Sequence, residues 1–355
     1  MTGEHALRYP LGETLPEPGT AVEVAPGVRW LRMPLPFALN HINLWLLRDR
    51  VDGRDGWCIV DCGIADEATR SAWEQVFATG IDGLPVLRVI VTHLHPDHAG
   101  LCHWLTERWR TEQSECRLWM SATDFAAARV MIANGSAVGG DGAANFFRRH
   151  GLTDEKSLEQ VRLRWRYYAN MVPAMPDGYR RLMDGQVVVV GEHAWECIAG
   201  YGHAPEHISL WCAKTNVLIS GDMVLPRIST NVSVGHTEPE GDPLPLYLRS
   251  IAAMRRLPGD TLVLPSHGKP FMGLHNRVIQ LEQHHKERLD VVRSACSGQP
   301  RSAGELLQVM FRRSLDLHQT TFAMGEAIAH LNALAGRGEV RHALHPDGVI
   351  RFESR

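Results

Sequence analysis

Three imidazoles and a carboxylate fall within six positions of one stretch, Val89-Ile-Val-Thr-His93-Leu-His95-Pro-Asp97-His98-Ala-Gly100. The β-branched run Val89–Thr92 predicts a buried strand that ends at the first histidine. His93 and His95 alternate, so an extended chain points them to the same side. Asp97 and His98 follow in a tight loop bounded by Pro96 and Gly100. Imidazole and carboxylate together suit a borderline divalent ion such as zinc, and four such groups exceed what one tetrahedral ion needs. The chain contains 19 histidines, so a lone histidine means little. A strand that runs straight into this pattern is far more specific.

The elements that must position these groups are short strands whose ends carry further donors. Strands are expected at Val22–Val24, Val28–Met33, Ile42–Leu47 and Cys58–Val60, with a hairpin turn over Asp52–Gly56. The last of them enters Asp61-Cys-Gly63 and a helix over Asp66–Ala78. Asn40, His41 and Asn43 could face the mouth of a site, and His41 reads as an exposed loop histidine without a ligand role. A helix over Leu101–Arg110, a strand over Arg117–Met120 and a cap at Ser121–Asp124 follow. The strand pair Gln186–Val190 and Trp195–Ile198 leads to His203 in a glycine-flanked turn, where backbone freedom lets a side chain point into a site. Val217–Ile219 predicts a buried strand ending in Asp222, and Leu262–Leu264 one ending in Pro265-Ser-His267-Gly268. Strand-terminal loops that converge on one edge imply a sandwich.

The pattern Thr-His-x-His-x-Asp-His, with His203, Asp222 and His267 beyond it, resembles the metallo-β-lactamase superfamily of dinuclear metallohydrolases. The resemblance covers roughly residues 20–275. It implies a mixed α/β fold, the αββα sandwich, and two divalent ions. By that match His93, His95 and His203 bind one ion, Asp97, His98 and His267 bind the other, and Asp222 bridges both. Asp97 and Asp222 are then the catalytic carboxylates, and a water or hydroxide shared by the ions attacks the substrate. Asp61 is expected to hold the histidine loop in place, and His207 to support the site without binding metal. Zinc is the first choice for these donors, and iron or manganese fits the same set. A cysteine in place of Asp222 would have favoured a β-lactamase-like site. Glu206, in a segment where some relatives have Gly-His-Thr-Pro-Gly-His, and Ser266, where Gly is commoner, are departures that touch no ligand.

Two regions fall outside the alternation of strands and helices. Residues 132–178 read as a helical lid over the site, with a Gly-rich piece from Gly135 to Gly142 and helices over Ala143–His150 and Glu155–Met171. In the latter, Leu158, Val161, Leu163, Trp165, Tyr168 and Met171 interleave with Arg162, Arg164 and Arg166. That mixture could grip a phosphate-bearing substrate, or be a buried aromatic stripe with a solvated face. Residues 276–355 read as a module of helices over Asn276–Cys296, Ala303–Phe311 and Thr321–Ala335, then a hairpin of Glu339–Ala343 and Val349–Phe352. This resembles the winged-helix-like modules appended to some hydrolases of the superfamily. Residues 1–19 form an N-terminal arm rich in Pro and Gly.

Apolar content of 44%, charged content of 22% and a net charge of −3 describe a globular protein without a general affinity for nucleic acid or membrane surfaces. Residues 276–355 hold 11 Lys and Arg against 9 Asp and Glu, a net of +2 that is too weak to track a phosphate backbone. A packing or homodimer role suits them better. Seven cysteines without a CxxC pair fit a reducing cytoplasm. Cys62 reads as structural, and the first residues lack the apolar core of a signal peptide. The expected reaction is metal-assisted hydrolysis of a small molecule. A thioester of the acyl-CoA or glutathione kind comes first, because the metal set and Gly221-Asp222-Met-Val-Leu-Pro226 with Asn231-Val-Ser233 resemble the glyoxalase-II-like and thioesterase branch. A lactonase or other carboxylic ester hydrolase, an endoribonuclease, and a metal-binding signalling protein without turnover are the alternatives.

Overall fold

The computed structural model describes residues 7–112, 114–135, 139–311 and 314–355. Seven strands form a first sheet in sequence order: β1 (Val22–Ala25), β2 (Val28–Pro34), β3 (His41–Val51), β4 (Arg54–Val60), β5 (Val86–Ile90), β6 (Arg117–Ser121) and β7 (Tyr179–Leu182). Pairing is antiparallel as far as β4 and parallel from β4 to β7. The parallel pairs need crossovers, which helices supply. A second sheet has the order β12-β11-β10-β9-β8, built from β8 (Val187–Val190), β9 (His193–Gly200), β10 (His207–Cys212), β11 (Val217–Gly221) and β12 (Leu262–Pro265).

Residue alternation explains why both faces of each sheet are covered. In β3, Trp45 and Leu47 point between the sheets, whereas Ile42, Leu44 and Leu46 point to the helices outside. In β4, Cys58 and Val60 take the inner side and Trp57 and Ile59 the outer. Trp195, Cys197, Leu210, Ile219 and Leu264 of the second sheet complete the inner layer. Against the outer face of the first sheet lie α1 (Glu67–Thr79), α2 (Pro96–Ala99), α3 (Cys102–Arg108) and α4 (Ala122–Asn134), and the result is an αββα sandwich. Asp66 caps α1 by accepting from the Thr69 N–H. The expected helix over Leu101–Arg110 is α3 alone, shorter at its end, and α2 forms inside the histidine loop where only a turn was expected.

The insertion divides between the two outer layers. It contains α5 (Gly140–Arg149), α6 (Glu155–Leu163) and α7 (Tyr167–Met171). The expected single helix over Glu155–Met171 breaks at Arg164–Arg166, where the chain runs close to Gly135 and Gly139; a Cβ on Gly139 would overlap the Arg164 carbonyl oxygen. Leu158, Val161 and Tyr168 of the aromatic stripe are buried, but Leu163 and Trp165 are exposed. Residues 136–138 of the Gly-rich piece and 1–6 of the N-terminal arm lie outside the described residues. Within the arm, the Arg8 and Met272 backbones bond to each other in both directions.

The C-terminal region continues the second outer layer. After α8 (Pro243–Ala253) come α9 (Leu274–Ala295), α10 (Ala303–Met310), α11 (Leu317–Gly336) and the hairpin of β13 (Val340–Leu344) with β14 (Ile350–Ser354). Val278, Leu281 and Leu289 of α9 and Met324, Ile328 and Leu331 of α11 share one core with Leu218 and Val263 of the sheet and with Ala143, Phe147 and Leu158 of the insertion. All seven cysteines are buried and free, and burial holds the Cys62 thiol well above its ordinary value. Among the described residues, no helix is long and apolar enough to cross a membrane.

Candidate metal centre

The seven proposed ligands meet at one end of the sandwich. His93, His95, Asp97 and His98 come from the loop after β5 and from α2, His203 from the β9–β10 turn, Asp222 from the end of β11, and His267 from the end of β12. His93 Nε2, His95 Nδ1 and His203 Nε2 stand 2.9, 3.1 and 3.1 Å from one another. Donors around a tetrahedral zinc at about 2.0–2.1 Å lie about 3.3 Å apart, so the three nitrogens form one face of such a site. In a second trio, His267 Nε2 is 3.4 Å from Asp97 Oδ2, and His98 Nε2 is 3.8 Å from the same oxygen. Asp222 lies between them: Oδ2 is 3.3 Å from His203 Nε2, while Oδ1 is 3.5 Å from His98 Nε2 and 3.6 Å from His267 Nε2.

Supporting hydrogen bonds decide which nitrogens carry lone pairs. His203 Nδ1 donates to the Asn231 carbonyl at 2.7 Å, and His267 Nδ1 to the His41 carbonyl at 2.8 Å. A carbonyl only accepts, so in the neutral rings Nε2 is bare and faces the site. His98 Nδ1 lies 2.8 Å from Asp61 Oδ2. Asp61, at φ 63°, also accepts from the Thr92 N–H and hydroxyl, which ties the start of the histidine loop to the end of β4. His98 Nε2 and Asp222 Oδ1 are buried without a hydrogen-bond partner among the described residues. Buried polar atoms are rarely left so, and a divalent cation among them satisfies both. The residues present fit a metal.

The electrostatics agree with that fit. Burial, with neighbouring imidazoles, holds His93 well below its usual value and His95 at about 3, so both are neutral donors. Burial opposes charge on Asp97 too, but His98 and His267 outweigh it and hold the carboxyl at about 2. Asp222 is likewise held well below the carboxylate range, as His267 and His98 outweigh burial. Conversely, burial disfavours His98 as a cation, yet Asp61, Asp97 and Asp222 raise it well above its usual value. A metal entering this cluster displaces protons from the carboxylate side.

Other polar residues hold the loops, and several were not legible as such. His207 does not join the ligands; its Nε2 accepts from the Asp222 N–H at 3.2 Å. His41 is not an exposed loop histidine. Its carbonyl holds His267, its Nε2 accepts from the Gly268 N–H at 3.0 Å, and burial with Arg32 nearby lowers it to about 4. Asn43 is fully buried rather than at the mouth, where it donates to the Pro265 and Gly268 carbonyls at 2.8 Å each. Asp124 accepts from the Leu94 N–H at 2.8 Å and the Glu206 N–H at 2.6 Å, pinning both histidine turns. Its position in the first turn of α4 signalled only a cap.

A cleft of about 450 Å³ opens on His95 and His203. Phe147 of the insertion, Asn231 and Ser233 of the loop after β11, and Thr321, Phe322 and Gly325 of α11 help to line it. On the Asp97 side, Tyr167 of α7 bonds His318 of α11 at 2.8 Å, and His318 stacks on Phe37. The insertion and the C-terminal region therefore meet across the metal end of the sandwich.

This sandwich and its buried His/Asp cluster define a metallo-hydrolase. The chain belongs to the metallo-β-lactamase superfamily: residues 39–267 match the model of that superfamily, and residues 289–355 match that of the metallo-beta-lactamase-like C-terminal domain. A beta-lactamase domain protein from Burkholderia ambifaria is 54% identical in its crystal structure, with a TM-score of 0.94 over 99% of each chain. The metallo-beta-lactamase family protein TTHA1429 from Thermus thermophilus is 27% identical, with a TM-score of 0.75 over 94% of this chain and 100% of its own. The probable metallo-hydrolase YqjP of Bacillus subtilis (strain 168) is 24% identical over 313 residues, 86% of this chain and 91% of that relative.

Proposed function

We propose that the protein holds two divalent ions, zinc first among them, and hydrolyses a small-molecule thioester. The observation that carries the two-ion reading is Asp222, whose Oδ2 faces the first trio and whose Oδ1 faces the second. His93, His95 and His203 would hold one ion, Asp97, His98 and His267 the other, and Asp222 both. Two such ions lower the pKa of a shared water and offset the charge that grows on the substrate carbonyl oxygen. The protein's own part is to fix the imidazoles as neutral Nε2 or Nδ1 donors, keep both aspartates ionised, and bring the acyl carbon to the cleft beside His95 and His203.

A small-molecule substrate suits a cleft of about 450 Å³ better than a polymer does. RNA is disfavoured because no Lys or Arg is among the described residues that line this cleft. A lactone or other carboxylic ester remains the second reading, because the same site attacks any acyl carbon. The deciding experiment measures bound metal per chain and thiol release from acyl-CoA and glutathione thioesters, for the parent and Asp222→Ala. Two ions and turnover in the parent, with both reduced in the variant, are the expected result. One ion per parent chain would overturn the two-ion reading. Two ions with no thiol released, but acid released from a lactone, would move the substrate to the second class.

A further inference from the structure

Only Leu94 separates His93 from His95, and each of the two peptide groups that join them is held by one buried side chain. The first carries the Leu94 N–H, which donates to Asp124 Oδ1 of α4 at 2.8 Å. The second carries the Leu94 carbonyl, which accepts from the Tyr168 hydroxyl of α7 at 2.6 Å. Leu94, Asp124 and Tyr168 are all buried, so water is a poor substitute for either partner. A buried carbonyl without its donor is costly, and loss of the Tyr168 hydroxyl favours rotation of that peptide toward another partner. It is the peptide that leads into His95. His95 Nδ1 stands 2.9 Å from His93 Nε2 and 3.1 Å from His203 Nε2. Within an imidazole, Nδ1 lies nearer the main chain than Nε2 does. The ring therefore has little reach with which to absorb a turn of its own backbone. The same short helix also accepts from the Ala65 N–H through the Met171 carbonyl at 3.2 Å, which ties it to the turn that follows Asp61.

We propose that Tyr168 is a positioning residue of the metal centre: its hydroxyl fixes the Leu94–His95 peptide and thereby the place of His95 Nδ1 in the first trio. The insertion supplies none of the candidate ligands, yet through α7 it governs how tightly one trio holds its ion. The inference concerns how an ion is held and not which bond is broken. It rests on the first trio being a metal site and is independent of the substrate.

Tyr168→Phe removes the hydroxyl and keeps the ring. Cobalt titrations of the metal-free parent and variant, followed by visible absorption and by the paramagnetically shifted imidazole proton resonances, read the two trios apart. In the variant, affinity at the first trio should fall about 10-fold and its cobalt bands should shift, while the second trio keeps the parent's affinity. Tyr167→Phe is the control. It removes the neighbouring hydroxyl of the same helix, which bonds His318 and not the histidine loop, and it should leave the first trio as in the parent. A lowered melting temperature of Tyr168→Phe with unchanged affinity and bands at the first trio would overturn the inference. Equal weakening of both trios, or the same first-trio change in Tyr167→Phe, would also overturn it, because α7 would then be loosening as a whole. A parent that takes up no cobalt would overturn the metal reading and the inference together. The expected cobalt pattern without thiol release from any thioester would support the inference and overturn the thioester reading alone.

Discussion

At the scale of single residues, the ligands are held by groups that do not touch the metal sites. Asp61 is the clearest case, since it receives the His98 imidazole and both polar groups of Thr92. Asp61→Asn keeps the size and tolerates the positive φ, but it removes the anion that favours a donating Nδ1 on His98. Metal affinity at the second trio should fall about 10–100-fold, read by competition with a chromophoric chelator. An affinity equal to the parent's would show that Asp61 only shapes the turn. The seven candidate ligands and Asp61 could be named from the sequence because histidines and aspartates stand at strand ends in a pattern that resembles the superfamily, and the fold brings them to one place. The roles of Asp124, His41 and Asn43 could not, because each acts on backbone that the fold alone brings near. Asn43 is 222 positions from Pro265, whose carbonyl it holds, and nothing around Asn43 in sequence announces that partner.

At the scale of elements, α11 backs the loop that holds His203 of the first trio. The Gly325 carbonyl accepts from the Val234 N–H at 3.1 Å, and two residues before Ser233 the Asn231 carbonyl fixes His203. A Cβ on Gly325 would lie 2.8 Å from Ser233 Cβ, so α11 can approach this loop only through glycine. Gly325→Val should push the loop outward, tilt His203 and lower metal affinity at its trio more than at the other. Metal titration with site-resolved cobalt spectra reads this, and equal effects at both trios would refute the route. The helix itself was legible from Thr321 to Ala335, and it begins a turn earlier, at Leu317. Its role was not, because a helical period shows which residues are buried but not against which loop. The break between α6 and α7 escaped for a similar reason: Leu158, Val161 and Tyr168 keep a helical period, and the close approach of Gly135 and Gly139 interrupts it from outside.

At the scale of the molecule, stability should depend on pH through the C-terminal core. Burial pushes Glu326 of α11 up to about 7 from an ordinary 4.5, with Arg288 pulling the other way. The unfolded chain ionises first, so stability falls as pH rises from 4.5 to about 7 and the loss is complete above that. Glu326→Gln should melt with the parent near pH 4.5 and above it at pH 8, followed by circular dichroism. Burial lowers His285 to about 3 and His330 to about 4, and the loss they cause on acidification is common to both proteins. A second dependence follows from the ions. A metal held by donors from both sheets would favour the folded chain, so chelation should lower the melting temperature, and the melting temperature should climb with free zinc. A melt indifferent to zinc would exclude that coupling. Four of the seven donors belong to the loop after β5, while Asp222 and two histidines belong to the other sheet. During synthesis, then, the nascent chain displays part of the candidate ligand set long before Asp222 has left the ribosome. A metal bound by this cluster would therefore be captured late, and it would tie the two sheets together.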